Sequence, residues 1–153
     1  MSKLLCKYHV FVVDDEPIIA ATLAMILRGQ GFDARSFTEP FEVLQAVVSY
    51  PPDLLITDLM LPLLSGIELA ILVREHCPHC KVLLFSGYVA ASDLNEAALA
   101  KGQVFEFLSK PAHPRDVLKK VCEMMEGIPR RSLVHEFKRG CKAARGLAHE
   151  PVK

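Results

Sequence analysis

At 153 residues, 51% of them hydrophobic, the chain has the size of one domain and enough apolar material for a full core. Its longest apolar runs fall far short of the roughly 20 residues that a membrane span needs, and no cleavable signal pattern precedes the first strand. Zero formal net charge hides an asymmetry: residues 1–126 hold 11 lysines and arginines against 16 aspartates and glutamates, whereas residues 127–153 hold 7 against 2.

Strand and helix patterns alternate along the body. Tyr8–Val13 reads as a strand that stops in Asp14 and Asp15. Pro17–Arg28 has helical apolar spacing (Ile18, Ile19, Leu23, Ile26, Leu27), with Pro17 in the first turn and Gly29 at the exit. Phe32–Phe37 alternates like an edge strand. Thr38 is placed to cap a helix from Pro40 to about Tyr50, which Pro51-Pro52 ends. Leu54–Thr57 is a third strand and stops at Asp58. After a loop with Pro62, Ser65 caps a helix through His76. Val82–Phe85 is a strand, Ser92–Lys101 a helix and Val104–Leu108 a strand followed by Ser109, Lys110 and Pro111. Pro114–Met125 is the last helix of the body, closed by Gly127 and Pro129.

Five strands alternating with helices predict an α/β fold: a doubly wound parallel sheet covered on both faces, with right-handed crossovers. The flavodoxin-like order 2-1-3-4-5 fits best, and ligands in such sheets bind outside the carboxyl ends of the strands. Asp14, Asp15, Asp58 and Lys110 would meet there. Three carboxylates and an ammonium in one shallow cleft suit a hard divalent cation and a phosphoryl group. Taken singly, each has a plainer reading: acid pairs at strand ends cap helices or sit in solvated turns, and a lone lysine is a surface lysine.

The joint pattern resembles the receiver domain of bacterial two-component response regulators, the CheY-like family. The resemblance covers residues 8–126, with 127–153 as a basic, helical extension. It rests on Asp14-Asp15 after the first strand, Asp58 within Ile56-Thr57-Asp58-Leu59-Met60-Leu61-Pro62, Gly66 opening a helix, Ser86-Gly87 after the fourth strand, and Lys110-Pro111 after the fifth. The resemblance implies that Asp58 is the phosphoacceptor, taking its phosphoryl group from a histidine kinase, a phosphotransfer protein or a small phosphodonor. It implies that Asp15, Asp58 and the carbonyl of Met60 hold Mg²⁺, with Asp14 helping through water. It makes Ser86 a hydroxyl donor to the phosphoryl group, Lys110 its counter-charge and Phe107 the aromatic switch residue. Met60 and Tyr88 would flank the phosphoryl group and favour slow self-dephosphorylation.

The expected function is that of a stand-alone, cytoplasmic receiver. It catalyses only its own phosphorylation and dephosphorylation, and it signals to a protein target. The face built from Ser92–Met125 would carry that signal and, with it, a homodimer. The alternative is a phosphorylation-independent interaction or dimerisation module, against which the complete acid and lysine set argues. An aspartyl-phosphate hydrolase would need a second acid where Met60 stands, and no G-x-G-x-x-G follows the first strand to hold a dinucleotide.

Three weaker signals remain. The five cysteines are odd in number and irregularly spaced, which reads as reduced thiols. His76-Cys77-Pro78-His79-Cys80 has ligand types that suit zinc but lacks the second half of a structural site. In the tail, Leu133, Phe137, Cys141 and Ala144 fall at helical spacing with basic residues largely off that line, which predicts a short amphipathic helix. It either packs on the body or meets a partner, nucleic acid or an anionic membrane. It is shorter than the DNA-binding domains that follow many receivers, so direct DNA binding is not expected.

Overall fold

Side chains along a strand point alternately to opposite faces of the sheet, so a strand with a continuous apolar run must be covered on both sides. That is the case for β1 (His9–Val13), whose last four residues are buried, and for β3 (Leu54–Asp58), buried up to Thr57. The computed structural model describes residues 8–87, 102 and 105–126. It places β1 and β3 at the centre of a five-stranded parallel sheet with β2 (Asp33–Phe37), β4 (Lys81–Ser86) and β5 (Glu106–Ser109), in the order β2-β1-β3-β4-β5. The fold is therefore the doubly wound α/β sheet with the expected strand order. The predicted helix Ser92–Lys101, Tyr88 and the tail 127–153 lie outside the described residues.

Two apolar cores flank the sheet. On one face Phe11, Val13, Leu55 and Leu84 pack with Val43 and Val47 of α2 (Pro40–Ser49) and with Leu69 and Val73 of α3 (Gly66–His76). On the other, Val10, Val12, Ile56 and Leu83 meet Leu23 and Leu27 of α1 (Pro17–Gly29) and Val117 and Val121 of α4 (Pro114–Met125). Truncating any fully buried leucine here, such as Leu83 or Leu84, costs about 2–5 kcal/mol through lost contacts and the cavity left behind.

The ends of the elements follow local chemistry, with three departures from the sequence reading. Thr38 does not cap α2. Pro40 occupies the first turn, so the capping position falls on Glu39, which makes no side-chain cap bond; Thr38 is one residue too early. In α1 the buried residues are Ala20, Leu23, Ala24 and Leu27, while Ile18 and Ile19 are exposed, so the inward stripe runs through small residues. Strand β5 begins two residues later than Val104, and both its end residues are exposed, as suits an edge. Ser65 caps α3 as expected: its hydroxyl accepts from the Glu68 N–H at 3.1 Å, and the Glu68 carboxylate accepts from the Ser65 N–H at 3.2 Å, a capping box. The turn after α1 is carried by Gly31 at φ +98°, a backbone conformation that favours glycine.

Candidate functional site at the carboxyl edge of the sheet

The parallel register decides which residues surface together. Val13 lies beside Thr57 and Phe37, Asp58 beside Phe85, and Ser86 beside Ser109. One residue past Val13 comes Asp14, and one past Ser109 comes Lys110. Strand β3 itself ends in Asp58. Strands β1, β3 and β5 thus deliver Asp14, Asp58 and Lys110 to one edge of the sheet, where β4 ends in Ser86.

There, one carboxylate oxygen each from Asp14, Asp15 and Asp58 lies within 4.8 Å of the others. Lys110 reaches across from β5: its Nζ donates to Asp58 Oδ2 at 2.9 Å and lies 3.6 Å from Asp14 Oδ2. Asp14 is buried and Asp15 exposed, so the group is anchored on one side and open on the other. Backbone amides hold two of the acids: the Glu16 N–H donates to Asp14 Oδ1 at 2.9 Å, and the Met60 N–H to Asp58 Oδ1 at 3.3 Å. The Lys110–Pro111 peptide is cis.

Electrostatics set the character of this edge. Burial pushes the Asp14 carboxyl above the usual range, and the charges of Asp58 and Asp15 push the same way; the Glu16 amide and Lys110 offset this only in part. Burial alone would lower the Lys110 ammonium, yet its hydrogen bond to Asp58 and the charges of Asp58 and Asp14 outweigh that and hold it above its ordinary value. Three carboxylates face one ammonium, and the excess negative charge calls for a cation. An all-oxygen donor set with one open side fits Mg²⁺, which takes few protein ligands and keeps several waters.

Gly66 shows how tightly α3 abuts this edge. A Cβ there would stand 2.4 Å from the Asp58 carbonyl oxygen and 3.0 Å from Leu59 Cα. The Gly66 N–H donates to the Leu59 carbonyl at 2.8 Å, fixing the loop between them. Only a residue without a side chain lets the capped helix start against the strand that carries Asp58.

The remaining candidates are placed less closely. Ser86 ends β4 on the same edge, with its backbone paired to Ser109; its side chain lies outside the described features. Phe107 is half-buried in β5 and packs against the core on the α2–α3 face. The amide of Met60 turns back onto Asp58, while its side chain is exposed. The anchoring amide of Glu16 was not singled out from sequence. Its signal was the Asp-x-Glu spacing before α1, where a side-chain oxygen accepts the amide two residues on.

Cys77 and Cys80 face the opposite way, into the hydrophobic core. Burial raises the Cys80 thiol far above its usual range, with Cys77 adding to it. A thiol so strongly held in its protonated form is a poor metal ligand and a poor nucleophile. Among the described residues, the acid trio is the group whose ligand atoms converge.

Comparison with known proteins meets this geometry from another side. Residues 10–122 match the family described as the response regulator receiver domain. The DNA-binding response regulator MtrA of Mycolicibacterium smegmatis is 31% identical over 116 residues, 75% of this chain and 49% of that protein. The DNA-binding transcriptional regulator NtrC of Escherichia coli is 34% identical over 103 residues, 67% of this chain and 21% of that protein. This chain therefore spans about half the length of MtrA and less of NtrC. A response regulator receiver domain protein from Clostridium thermocellum superposes with a TM-score of 0.66 at 25% identity, covering 76% of this chain and 92% of that one. The chemotaxis protein CheY4 of Vibrio cholerae shares the fold with a TM-score of 0.68 at 20% identity, covering 76% and 98%. The strand order and the charged sheet edge had led to the same place from the residues alone: the chain belongs to the response regulator receiver domain family of two-component systems.

Proposed function

We propose that Asp58 accepts a phosphoryl group, from phosphohistidine on a histidine kinase or phosphotransfer protein or from a small phosphodonor, and that the phosphorylated chain signals to a protein target. One observation carries this reading: Lys110 bridges Asp58 at 2.9 Å and Asp14 at 3.6 Å, beside an exposed Asp15, so a nucleophile, its counter-charge and a cation cradle share one edge.

A carboxylate oxygen of Asp58 would form the new bond to phosphorus while the phosphorus–nitrogen bond of the donor breaks. The departing imidazole takes up a proton, and Asp58 becomes an acyl phosphate. Such a transfer needs positioning and charge stabilisation more than covalent help. Asp15, Asp58 and the Met60 carbonyl would hold Mg²⁺, with Asp14 acting through water; bound there, the ion neutralises charge on the transferring oxygens. Lys110 would pass from the Asp58 carboxylate to the phosphoryl oxygens, and Ser86 would donate its hydroxyl to them. Phosphorylation adds close to two negative charges; Ser86 moving toward them would let Phe107 turn inward and alter the face carried by β5 and α4. That face would meet the protein target and support a homodimer. The chain is on this reading a cytoplasmic signalling module that catalyses only its own phosphorylation and dephosphorylation.

The test is labelling by acetyl phosphate or phosphoramidate with Mg²⁺. Asp58→Asn is expected to abolish it; undiminished labelling of that variant overturns the assignment.

A further inference from the structure

Helix α1 departs from the usual surface pattern. No charged residue occurs from Pro17 to Leu27. Its inner face is buried through Leu23 and Leu27, yet Ile18 is 80% exposed and Met25 60% on the outside. Between those two stand Ala21 and Thr22, both exposed and both small. Ile18, Thr22 and Met25 recur at helical spacing, so they line one side of the helix. The result is an outer stripe about 10 Å long, with a notch between two large apolar side chains. Surface helices ordinarily turn polar residues outward, and an apolar outer stripe marks a contact surface.

The chain itself holds a segment that matches this stripe. Helices α1 and α4 pack on the same face of the sheet, over Val10 and Val12. Each follows a strand and returns from the carboxyl edge to the amino edge. Residues 127–153 therefore set out from the amino edge, on the side where α1 ends. Residues 127–132 span up to about 20 Å when extended, and neighbouring helices lie about 8–10 Å apart, so Leu133 can reach the foot of α1. Leu133, Phe137 and Cys141 recur at helical spacing. From Leu133 to Cys141 a helix rises about 12 Å, close to the stripe from Met25 to Ile18.

Charge sets the direction and the consequence. Running antiparallel to α1, such a helix carries Lys142 and Arg145 past Ile18 to the carboxyl edge. There Asp15, Glu16, Glu39 and Glu42 are exposed around the acid trio. Residues 127–153 hold 7 lysines and arginines against 2 aspartates and glutamates, so the two surfaces are complementary. We propose that residues 133–145 dock as a helix along the outer stripe of α1, with Phe137 over Ala21 and Thr22, and that Lys142 and Arg145 then compete with the divalent cation at the acidic edge. The competition rests on the Mg²⁺ site proposed above. Coupling between two binding events is reciprocal, so the docked segment weakens Mg²⁺ binding and Mg²⁺ releases the segment. The chain thereby restrains its own acceptor edge.

Crosslinking and cation binding test the two halves in the full chain, with Cys6→Ser and Cys122→Ser as background. On oxidation with diamide, Ile18→Cys should close an intramolecular disulfide with Cys141 at least tenfold faster than Glu75→Cys, which stands exposed on α3 across the sheet. In calorimetric titration the oxidised Ile18→Cys chain should bind Mg²⁺ at least threefold more weakly, and dithiothreitol should restore the affinity. Phe137→Ser, and separately Lys142→Gln with Arg145→Gln, should each strengthen Mg²⁺ binding at least threefold. Equal crosslinking from Ile18→Cys and Glu75→Cys overturns the docking. A disulfide-linked dimer also overturns it and gives the stripe to a second copy of the chain. Unchanged Mg²⁺ affinity in the oxidised chain and in the tail variants overturns the competition. Absence of Mg²⁺ binding in every variant would instead overturn the cation site, and the crosslinking rates would still decide the docking.

Discussion

The two edges of the sheet use the same residue types to opposite ends. At the amino edge, His9 stacks on Tyr50 with ring centroids 4.2 Å apart, and the Arg35 guanidinium lies 3.5 Å from the centroid of the Tyr50 ring. The Tyr50 hydroxyl donates to Asp33, and the backbone N–H of His9 donates to Asp53 Oδ2 at 2.7 Å. Each acid there meets donors, and cation, ring and carboxylate offset one another. At the carboxyl edge three carboxylates share one lysine, and one of them is open to solvent. Charged residues brought into balance hold a fold together, whereas those left out of balance are available for a ligand.

The largest expected effect lies where backbone crowds the carboxyl edge. Gly66→Ala would force its Cβ against the Asp58 carbonyl, and because backbone cannot swing away, the loop or α3 must shift. The variant should lose about 1–3 kcal/mol, the range for overpacked sites, and its labelling by phosphoramidate should fall together with its urea midpoint. A variant as stable and as readily labelled as the parent would show that this edge is looser than it looks.

The next effect has the opposite sign. The Asp14 carboxyl is raised above its ordinary value, so its ionised form is less favourable in the folded than in the unfolded chain. Its contribution to stability is fully present below the ordinary aspartate pKa and is lost as pH rises through the folded value. Without Mg²⁺, Asp14→Asn should therefore raise the melting temperature by a few degrees at neutral pH. The gain should shrink as pH falls toward the ordinary aspartate range, and the variant should bind Mg²⁺ more weakly. A lower melting temperature at neutral pH would place Asp14 with the balanced acids of the other edge.

The smallest effect tests the amino edge. Burial pushes the Tyr50 phenol up to about 12, helped by its bond to Asp33. The stability this adds is complete below pH 10 and is lost as pH rises through about 12. In an ultraviolet titration Tyr50 should ionise late, and Tyr50→Phe should remove that late step. The same change should cost about 0.5–1.5 kcal/mol, the worth of one hydrogen bond, and leave phosphoryl labelling untouched.

Much of this was legible before any coordinates. Apolar runs that stop in Asp14 and Asp58 announce buried parallel strands, because period and burial are local properties of the sequence; the run before Lys110 forms an edge strand instead, with both its ends exposed. Capping by Ser65 was readable for the same reason: the box closes within three residues. The inward face of α1 was not. Ile18 and Ile19 have the same hydropathy as core residues, and only the packing of Ala20 and Ala24 against the sheet shows which side faces in. Nor was the amino-edge stack legible, since it joins β1, β2 and the end of α2 from positions up to 41 residues apart.

The sequence by itself determined the alternation of elements, the strand order that alternation favours and the acids and lysine that end the strands. These rest on short-range periodicity and side-chain chemistry. Tertiary structure alone decided that Lys110 spans to both Asp14 and Asp58, that Gly66 must yield to the Asp58 carbonyl and that an apolar rim stays in water around them. Register, close approach and exposure are relations between distant segments, and they exist only once the sheet has set those segments side by side.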